Sequence, residues 1–531
     1  MTAGRKRPPF WSTGLPSALF FLGSLIVQAQ SPGTFTATGS MATARLFHTA
    51  TLLMDGRVLI AGGQNGASAN RLSSTEIYDP VAKTFTPGPN MTIGRTGHTA
   101  TLLVDGRVLI VDGEQTPPGA NGIEPGGSAE LFDPAAGSFT QTGSLLMARQ
   151  GFNATLLANG KVLVTGGVAG VTDSGYMIGD PEIYDPATGA FTVAGFYAGS
   201  LASLNTGGIF GFGSVSALLA DGTTLFATEP ACQVYDPTTA TFSLQGPIYV
   251  TWAVPGGSTF TPDYIVEQTA SLLLNGRILL AGGENEDTGY YRTAELYEAA
   301  SGAFIPTGNM LKSRGGHTAT VLPDGRVLIS GGTTEPCGDN SCWVTGPDAS
   351  AELYDPAQGV FTDAGNMTTD RDGHTATLLN NGDVLIVGGN SYSGPDPFGG
   401  FEEASTASAE LYHPSAATSA PALFLLAGAG TGQGIVWHAS TGQLASPQKP
   451  AVAGETLSMY VTGLAEGGAI PPQLSVGGQM AQVLYFGDAP GYPGYFQVNF
   501  LFPASVTPGT GVPVRLTYLF RSSNSITIAA Q

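Results

Sequence analysis

Apolar residues in this chain come as paired short runs separated by a polar turn. Between His98 and Thr140, Thr99-Ala100-Thr101-Leu102-Leu103-Val104 is β-branched and apolar, Asp105-Gly106 interrupts it, and Arg107-Val108-Leu109-Ile110-Val111 resumes it. Such runs predict strands, and because nearly every position is apolar they predict strands covered on both faces. Asp-Gly between them predicts a tight hairpin with a type I′ turn, whose two central residues both take positive φ. A third run, Ala129-Glu130-Leu131-Phe132, stops at Asp133-Pro134, because proline has no N–H for a ladder and presets a turn. Ser138-Phe139-Thr140 reads as a short fourth strand.

The pattern occurs seven times. Its turn pairs are Asp55-Gly56, Asp105-Gly106, Asn159-Gly160, Asp221-Gly222, Asn275-Gly276, Asp324-Gly325 and Asn381-Gly382. A period near fifty residues, with four strands in each unit, predicts the blades of a β-propeller. The second strand usually ends in Gly-Gly, and the third in Glu-x-Tyr-Asp-Pro. Gly-Gly, a downstream Tyr-Asp and a following aromatic resemble the kelch repeat, with Phe85, Phe139, Phe191, Phe242, Phe304 and Phe361 where kelch repeats often carry Trp. The resemblance covers residues 34–415. Unit 4 departs most, with Ala227-Thr228 for the glycines and Gln233 for the glutamate. Unit 7 reaches Tyr412 without a Phe-containing fourth strand, while Thr34-Phe35-Thr36 precedes Met41 as Thr84-Phe85-Thr86 precedes Met91. The N-terminal strand is therefore expected to complete the last blade, which removes a free sheet edge.

Beyond residue 420, alternating runs such as those around Leu457, Val483, Phe496 and Val512 are spaced by Gly/Pro turns. They predict a small β-sandwich and resemble an immunoglobulin-like module found in secreted acidobacterial proteins. The expected fold is all-β: a seven-bladed kelch-type propeller over residues 31–420, closed by the N-terminal strand, and a sandwich over 421–531.

Residues 1–29 read as a signal peptide: Arg5, Lys6 and Arg7 precede an apolar stretch over 18–27, and Val27-Gln28-Ala29 fits a cleavage site. Export, extracellular or periplasmic and bacterial, is the expectation. Cleavage would move the formal net charge from −20 to −23, which opposes binding to nucleic acid or anionic lipid, and no stable membrane insertion is expected after cleavage. In an oxidising compartment Cys337 and Cys342, close in one loop, are expected to form a disulfide, leaving Cys232 as a buried thiol.

Chemistry should sit where length varies. The 1–2 and 3–4 turns are short throughout, whereas the 2–3 loops and inter-blade connections differ in length, and binding residues favour variable loops on rigid scaffolds. Tyr249, Trp252 and Tyr264 in the connection between units 4 and 5, with Tyr290 and Tyr291 after Gly282-Gly283, are the candidate ligand-binding residues. His48, His98, His317 and His374 could form a metal-binding ring, but each stands three residues after an arginine, which favours a role in the repeat. Glu76, Glu130, Glu182, Glu295, Glu352 and Glu410 also recur, and are expected in hydrogen bonds or ion pairs within blades. Glu284, Glu286 and Asp287 lack an ordered calcium-ligand spacing and read as a solvated loop. No cofactor and no catalytic residue is expected.

The leading expectation is a non-catalytic binding or scaffold protein recognising an extracellular polysaccharide or a protein. The rival is a carbohydrate-active enzyme on the same face, either a glycan hydrolase or lyase using loop carboxylates or a copper oxidase. The layout resembles galactose oxidase, which implies copper held by His and Tyr with one Tyr cross-linked to Cys. Only His413 and His438 lie outside the repeat positions, and no residue carries over.

Overall fold

The computed structural model describes residues 32–66, 70–115, 124–172, 175–198, 215–228, 231–247, 252–253, 259–260, 267–285, 289–334, 346–395, 401–415, 420–426, 432–465, 469–519 and 521–531. Among them, seven antiparallel sheets repeat one strand order in which sequence neighbours pair. We number them by their first strands: Thr49–Leu52, Thr99–Leu102, Gln150–Leu156, Val215–Leu218, Thr269–Leu272, Thr318–Val321 and Thr375–Leu378. Sheet 7 takes its outer strand from the N-terminus. Thr34–Ala37 pairs with Ala409–His413, Phe35 opposite Tyr412, which is the closure the sequence predicts.

The second strand of each sheet is the dry one. Val58–Ala61, Val108–Val111 and Val384–Val387 are buried at every position, because both faces of these strands meet neighbouring sheets. Apolar clusters join consecutive sheets around the repeat. Leu59 and Val108 share one between sheets 1 and 2, and Val58 and Leu385 share one between sheets 1 and 7. A tilted aromatic pair clamps the third strand to the fourth in each sheet, from Tyr78–Phe85 at 4.8 Å to Tyr354–Phe361 at 4.8 Å. In sheet 7 the pair is Phe35–Tyr412 at 4.9 Å.

The hairpin turn differs from expectation. In sheet 2 the Gly106 N–H donates to Leu103 O (3.0 Å) and the Leu103 N–H to Arg107 O (2.8 Å). Gly106 has φ 92°, while Asp105 is not at positive φ. This is a type I turn with a glycine bulge rather than type I′. The reason is local: Asp105 Oδ1 accepts the Arg107 N–H at 3.0 Å, using its side chain as an acceptor without entering the left-handed region.

Buried charge is paired in a repeated way. Arg45–Glu76, Arg95–Glu130, Arg149–Glu182, Arg314–Glu352 and Arg371–Glu410 lie 2.6–3.0 Å apart, with side chains almost wholly buried. Each glutamate also holds the chain entering its sheet; Glu76 accepts the Ala42 and Thr43 N–H groups at 2.8 and 3.1 Å. The recurrent glutamates are thus ion-pair partners in these five sheets, as their repetition suggests.

At the C-terminal end lie two five-stranded sheets, one containing Thr456–Thr462 and Phe496–Leu501, the other Gln473–Val476 and Gly509–Tyr518. They share one core that includes Val436, Leu457, Val498, Leu516 and Ile528. Leu274, beside the 1–2 turn of sheet 5, packs against that core, and its carbonyl accepts the Ala469 N–H at 2.8 Å. The Asn380 carbonyl, beside the turn of sheet 7, accepts the Ala420 N–H at 2.8 Å. The C-terminal sheets therefore rest on the side that carries the 1–2 turns.

Candidate functional site at the loop-side mouth

The opposite side carries the 2–3 loops and the chains entering each sheet. Directly before the repeat's His position, which is Phe152 in sheet 3 and Gln268 in sheet 5, the backbone turns left-handed in six sheets. Glycine fills this position at Gly97, Gly151, Gly316 and Gly373 with φ between 55° and 68°, as left-handed geometry favours. Sheets 1 and 5 place Phe47 (φ 53°) and Glu267 (φ 58°) there instead. Hydrogen bonds link these positions between sheets: Phe47 N–H to Gly373 O at 3.0 Å, Gly97 N–H to Phe47 O at 3.1 Å, and Gly316 N–H to Glu267 O at 3.4 Å. Non-glycine residues are uncommon here, so the two side chains are placed at a cost. Phe47 is 43% exposed and leans over Gly373, where an added Cβ would meet its ring at 2.9 Å.

Glu267 sits in acidic company. Burial, then the charges of Glu284 and Asp372, push its carboxyl up to about 7. Its Oε2 and the ring of Tyr290 each lie 3.0 Å from where a Cβ on Gly315 would stand. The Tyr290 phenol is pushed up by burial, then by the Glu284 charge and a hydrogen bond to that carboxylate; it also bonds Thr333. Thr333 Oγ1 donates to Asp372 Oδ2 at 2.9 Å. Glu284, Tyr290, Thr333 and Asp372 thus form one polar network beside Glu267, spanning sheets 5 to 7. Near neutral pH it offers carboxylate acceptors and a carboxyl able to donate or accept, while Phe47 offers apolar area.

Of the aromatics singled out in the sequence, Tyr290 belongs to this network. Tyr291 is 5% exposed; its backbone spans two sheets, N–H to Gly283 O (2.8 Å) and O from the Arg314 N–H (3.0 Å). Trp252 lies in a two-residue strand opposite Phe260. Tyr249, Tyr264, Cys337 and Cys342 lie outside the described residues. Glu267 and Phe47 were missed. Aligning the residue directly before each repeat His position, where glycine recurs, is the signal that marks them.

The histidines are structural. His98 Nε2 lies 3.0 Å from Thr49 Oγ1, and His48, His317 and His374 make the same link to Thr375, Thr269 and Thr318 at 3.0–3.1 Å. Each stitches the first strands of adjacent sheets. Burial, then a neighbouring arginine, lowers His48 and His317 to about 3 and places His98 and His374 well below the usual histidine range. His413 bonds Asp383 and Thr36, and His438 bonds Glu455 and the Lys449 carbonyl. Cys232 is a buried free thiol.

Residues 45–92 match a family model described as the Kelch motif. No curated protein matches the chain. Among solved structures, the chain resembles a fungal alcohol oxidase of the AA5 family in complex with copper, at TM-score 0.59 and 16% identity over 94% of this chain and 100% of that one. The fold is that of a kelch-type β-propeller. Among the described residues the donor set does not fit copper. Its repeat histidines are spent on threonines, its thiol at Cys232 is buried in a strand, and no group of three His, Cys, Asp or Glu among the described residues is placed to hold a metal. Nor, among them, is any helix long and apolar enough to cross a membrane.

Proposed function

We propose that the chain is an exported, non-catalytic binding or scaffold protein that recognises an extracellular polysaccharide or another protein through the loop side of its propeller. In this reading a signal peptide over 1–29 precedes seven blades over 31–420, closed by the N-terminal strand, and an immunoglobulin-like sandwich over 421–531. One observation carries it: the two sides are unlike. The 1–2 turn side is covered by the chain's own C-terminal sheets, and the repeated Arg, Glu and His residues are largely spent inside and between sheets. The loop side instead presents Phe47, Glu267 and Tyr290, which belong to no repeat. Aromatic area beside hydrogen-bonding groups suits sugar rings and protein anchors alike.

A glycan array and a partner capture with the mature protein test this, alongside Phe47→Gly and Glu267→Gly. Both variants install the residue that other sheets use, so folding is retained while the ligand groups are removed. Selective binding lost in the variants supports the reading; binding unchanged in both sinks it.

A second reading, glycan hydrolysis or elimination, has one observation in its favour. A carboxyl raised to about 7 beside Glu284 and Asp372 offers the differing protonation that an acid and a base require. Turnover of a bound glycan that is abolished in Glu267→Gln would select it.

A further inference from the structure

We propose that sheet 5 contains an open guanidinium socket, built from Gly282, Thr293 and Glu295, that binds an arginine side chain or another guanidinium compound supplied from outside the chain. This goes beyond the reading above and does not depend on it, because the socket is made by sheet 5 alone.

The template is explicit in the other sheets. In sheet 1, Arg45 Nη1 donates to Gly62 O (2.8 Å) and Ser74 O (3.0 Å), and Nη2 donates to Ser74 Oγ (3.4 Å) and Glu76 Oε1 (3.0 Å). Sheet 6 repeats all four acceptors with Gly331, Ser350 and Glu352, and sheet 7 with Gly388, Ser408 and Glu410. In sheet 5 the same acceptors stand in the same register. Glu295 lies opposite Leu280 as Glu76 lies opposite Ile60. The Gly282 N–H reaches Thr293 O at 3.0 Å, as Gly62 N–H reaches Ser74 O at 3.2 Å. Threonine supplies the hydroxyl that serine supplies elsewhere.

The donor is what sheet 5 lacks. Arginine stands four residues before the first strand at Arg45, Arg95, Arg314 and Arg371; the residue four before Thr269 is Ile265. Glu295 is 8% exposed, and its buried Oε2 accepts no hydrogen bond from the described residues. Burial pushes its carboxyl up to about 7. Among the described residues no other cation replaces the arginine. The sequence has no Lys or Arg between Lys161 and Arg277; Arg277 bonds Glu298, Lys312 bonds Asp348, and Arg292 is exposed.

Sheet 4 shows that a lost arginine does not require this outcome. There the glutamate is replaced as well, and Gln233 satisfies itself on the Ala198 N–H (2.9 Å) and carbonyl (3.4 Å). Sheet 5 keeps the carboxylate and all its companions. An uncompensated buried carboxylate is costly, and such local conflicts concentrate at functional sites. The planar fork of a guanidinium matches this acceptor set, whereas an ammonium presents its donors from a point.

Calorimetric titration of the full mature chain tests the socket with methylguanidine, with a blocked tripeptide centred on arginine, and with its lysine and citrulline counterparts. Saturable binding of the arginine peptide, with citrulline weaker by on the order of tenfold or more, is expected. Binding by methylguanidine as well points to small guanidinium compounds as ligands; binding by the peptide alone points to a polypeptide partner. Glu295→Gln, a neutral isostere, should fold and abolish the titration. Ile265→Arg should supply the guanidinium from within, raise the melting temperature by several degrees and block the peptide. No saturable binding of either guanidinium probe to the wild type overturns the proposal, as does undiminished binding to folded Glu295→Gln.

Discussion

Phe35 and Tyr412 face each other at 4.9 Å across the pairing of the N-terminal strand with the third strand of sheet 7. The Tyr412 hydroxyl also donates to the Pro32 carbonyl. The contact repeats the Tyr–Phe clamp made elsewhere by consecutive strands, but here it joins opposite ends of the propeller sequence. Deleting residues 31–40 should therefore lower the propeller's thermal midpoint more than removing everything after residue 421. The first cut opens a sheet edge and the last aromatic clamp; the second uncovers the 1–2 turns, chiefly Leu274. Melts of both truncations decide between them, and an unmoved propeller transition after the N-terminal cut would refute closure by that strand.

Arg371 and Glu410, 2.7 Å apart and fully buried, should behave as a buried pair. Arg371→Met leaves a buried carboxylate alone and should cost about 3–5 kcal/mol. Combining it with Glu410→Leu should recover much of that loss, because both desolvated charges then disappear. Denaturant unfolding of the single and double variants closes the cycle; simple additivity would mean that the two residues do not act together.

The pH dependence has two limbs of opposite sign. His48 and His317 are lowered to about 3 in the folded protein, below their unfolded value of about 6.5. The stability they contribute is present above pH 6.5 and is lost as pH falls toward 3. Glu267 and Glu295 are raised to about 7, above the unfolded value of about 4.3. What they contribute is complete below pH 4.3 and is lost as pH rises through 7. Glu295→Gln should therefore gain on the wild type as pH rises from 5 to 8, and His98→Gln should gain on it as pH falls from 6.5 to 4. Thermal melts across that range read both slopes, and parallel wild-type and variant curves would contradict the burial inferred for these groups.

Alanine at Tyr249, Trp252 and Tyr264 should weaken ligand binding while leaving the melting temperature close to wild type. These residues lie in a connection longer than the twelve residues that separate Phe85 from His98, so blade geometry does not require them. A packed aromatic cut to alanine costs about 3–5 kcal/mol. A comparable loss with unchanged affinity in the remaining folded protein would reassign the residue to a core.

The repeat was legible because its signals are local. Alternating apolar runs, Asp-Gly turns and Asp-Pro stops each act over a few residues, and even the closing strand could be matched through Phe35. The turn type was misread because Asp105 competes for the backbone through its side chain, which residue preferences for type I′ do not register. Glu267 was missed for a different reason. Its neighbours Glu284 and Tyr290 pair in one hairpin while Asp372 comes from another sheet, and its importance lies in standing where other sheets have glycine. The φ angles show what that alignment means, since all these positions are left-handed. Ile265 could be read only against the arginines, and its meaning came from Gly282, Thr293 and Glu295 retaining their places without a donor.

The left-handed positions at the loop-side mouth also limit how this surface can be rewritten. Each side chain there carries a backbone cost of about 1–2 kcal/mol, and each one already present crowds an adjacent glycine. Phe47 would meet a Cβ on Gly373 at 2.9 Å, and Glu267 would meet one on Gly316 at 3.2 Å. A second side chain beside either one has to displace the first. New specificities at adjacent positions are therefore coupled, so an engineer redesigning this opening has fewer independent letters than the repeat count suggests.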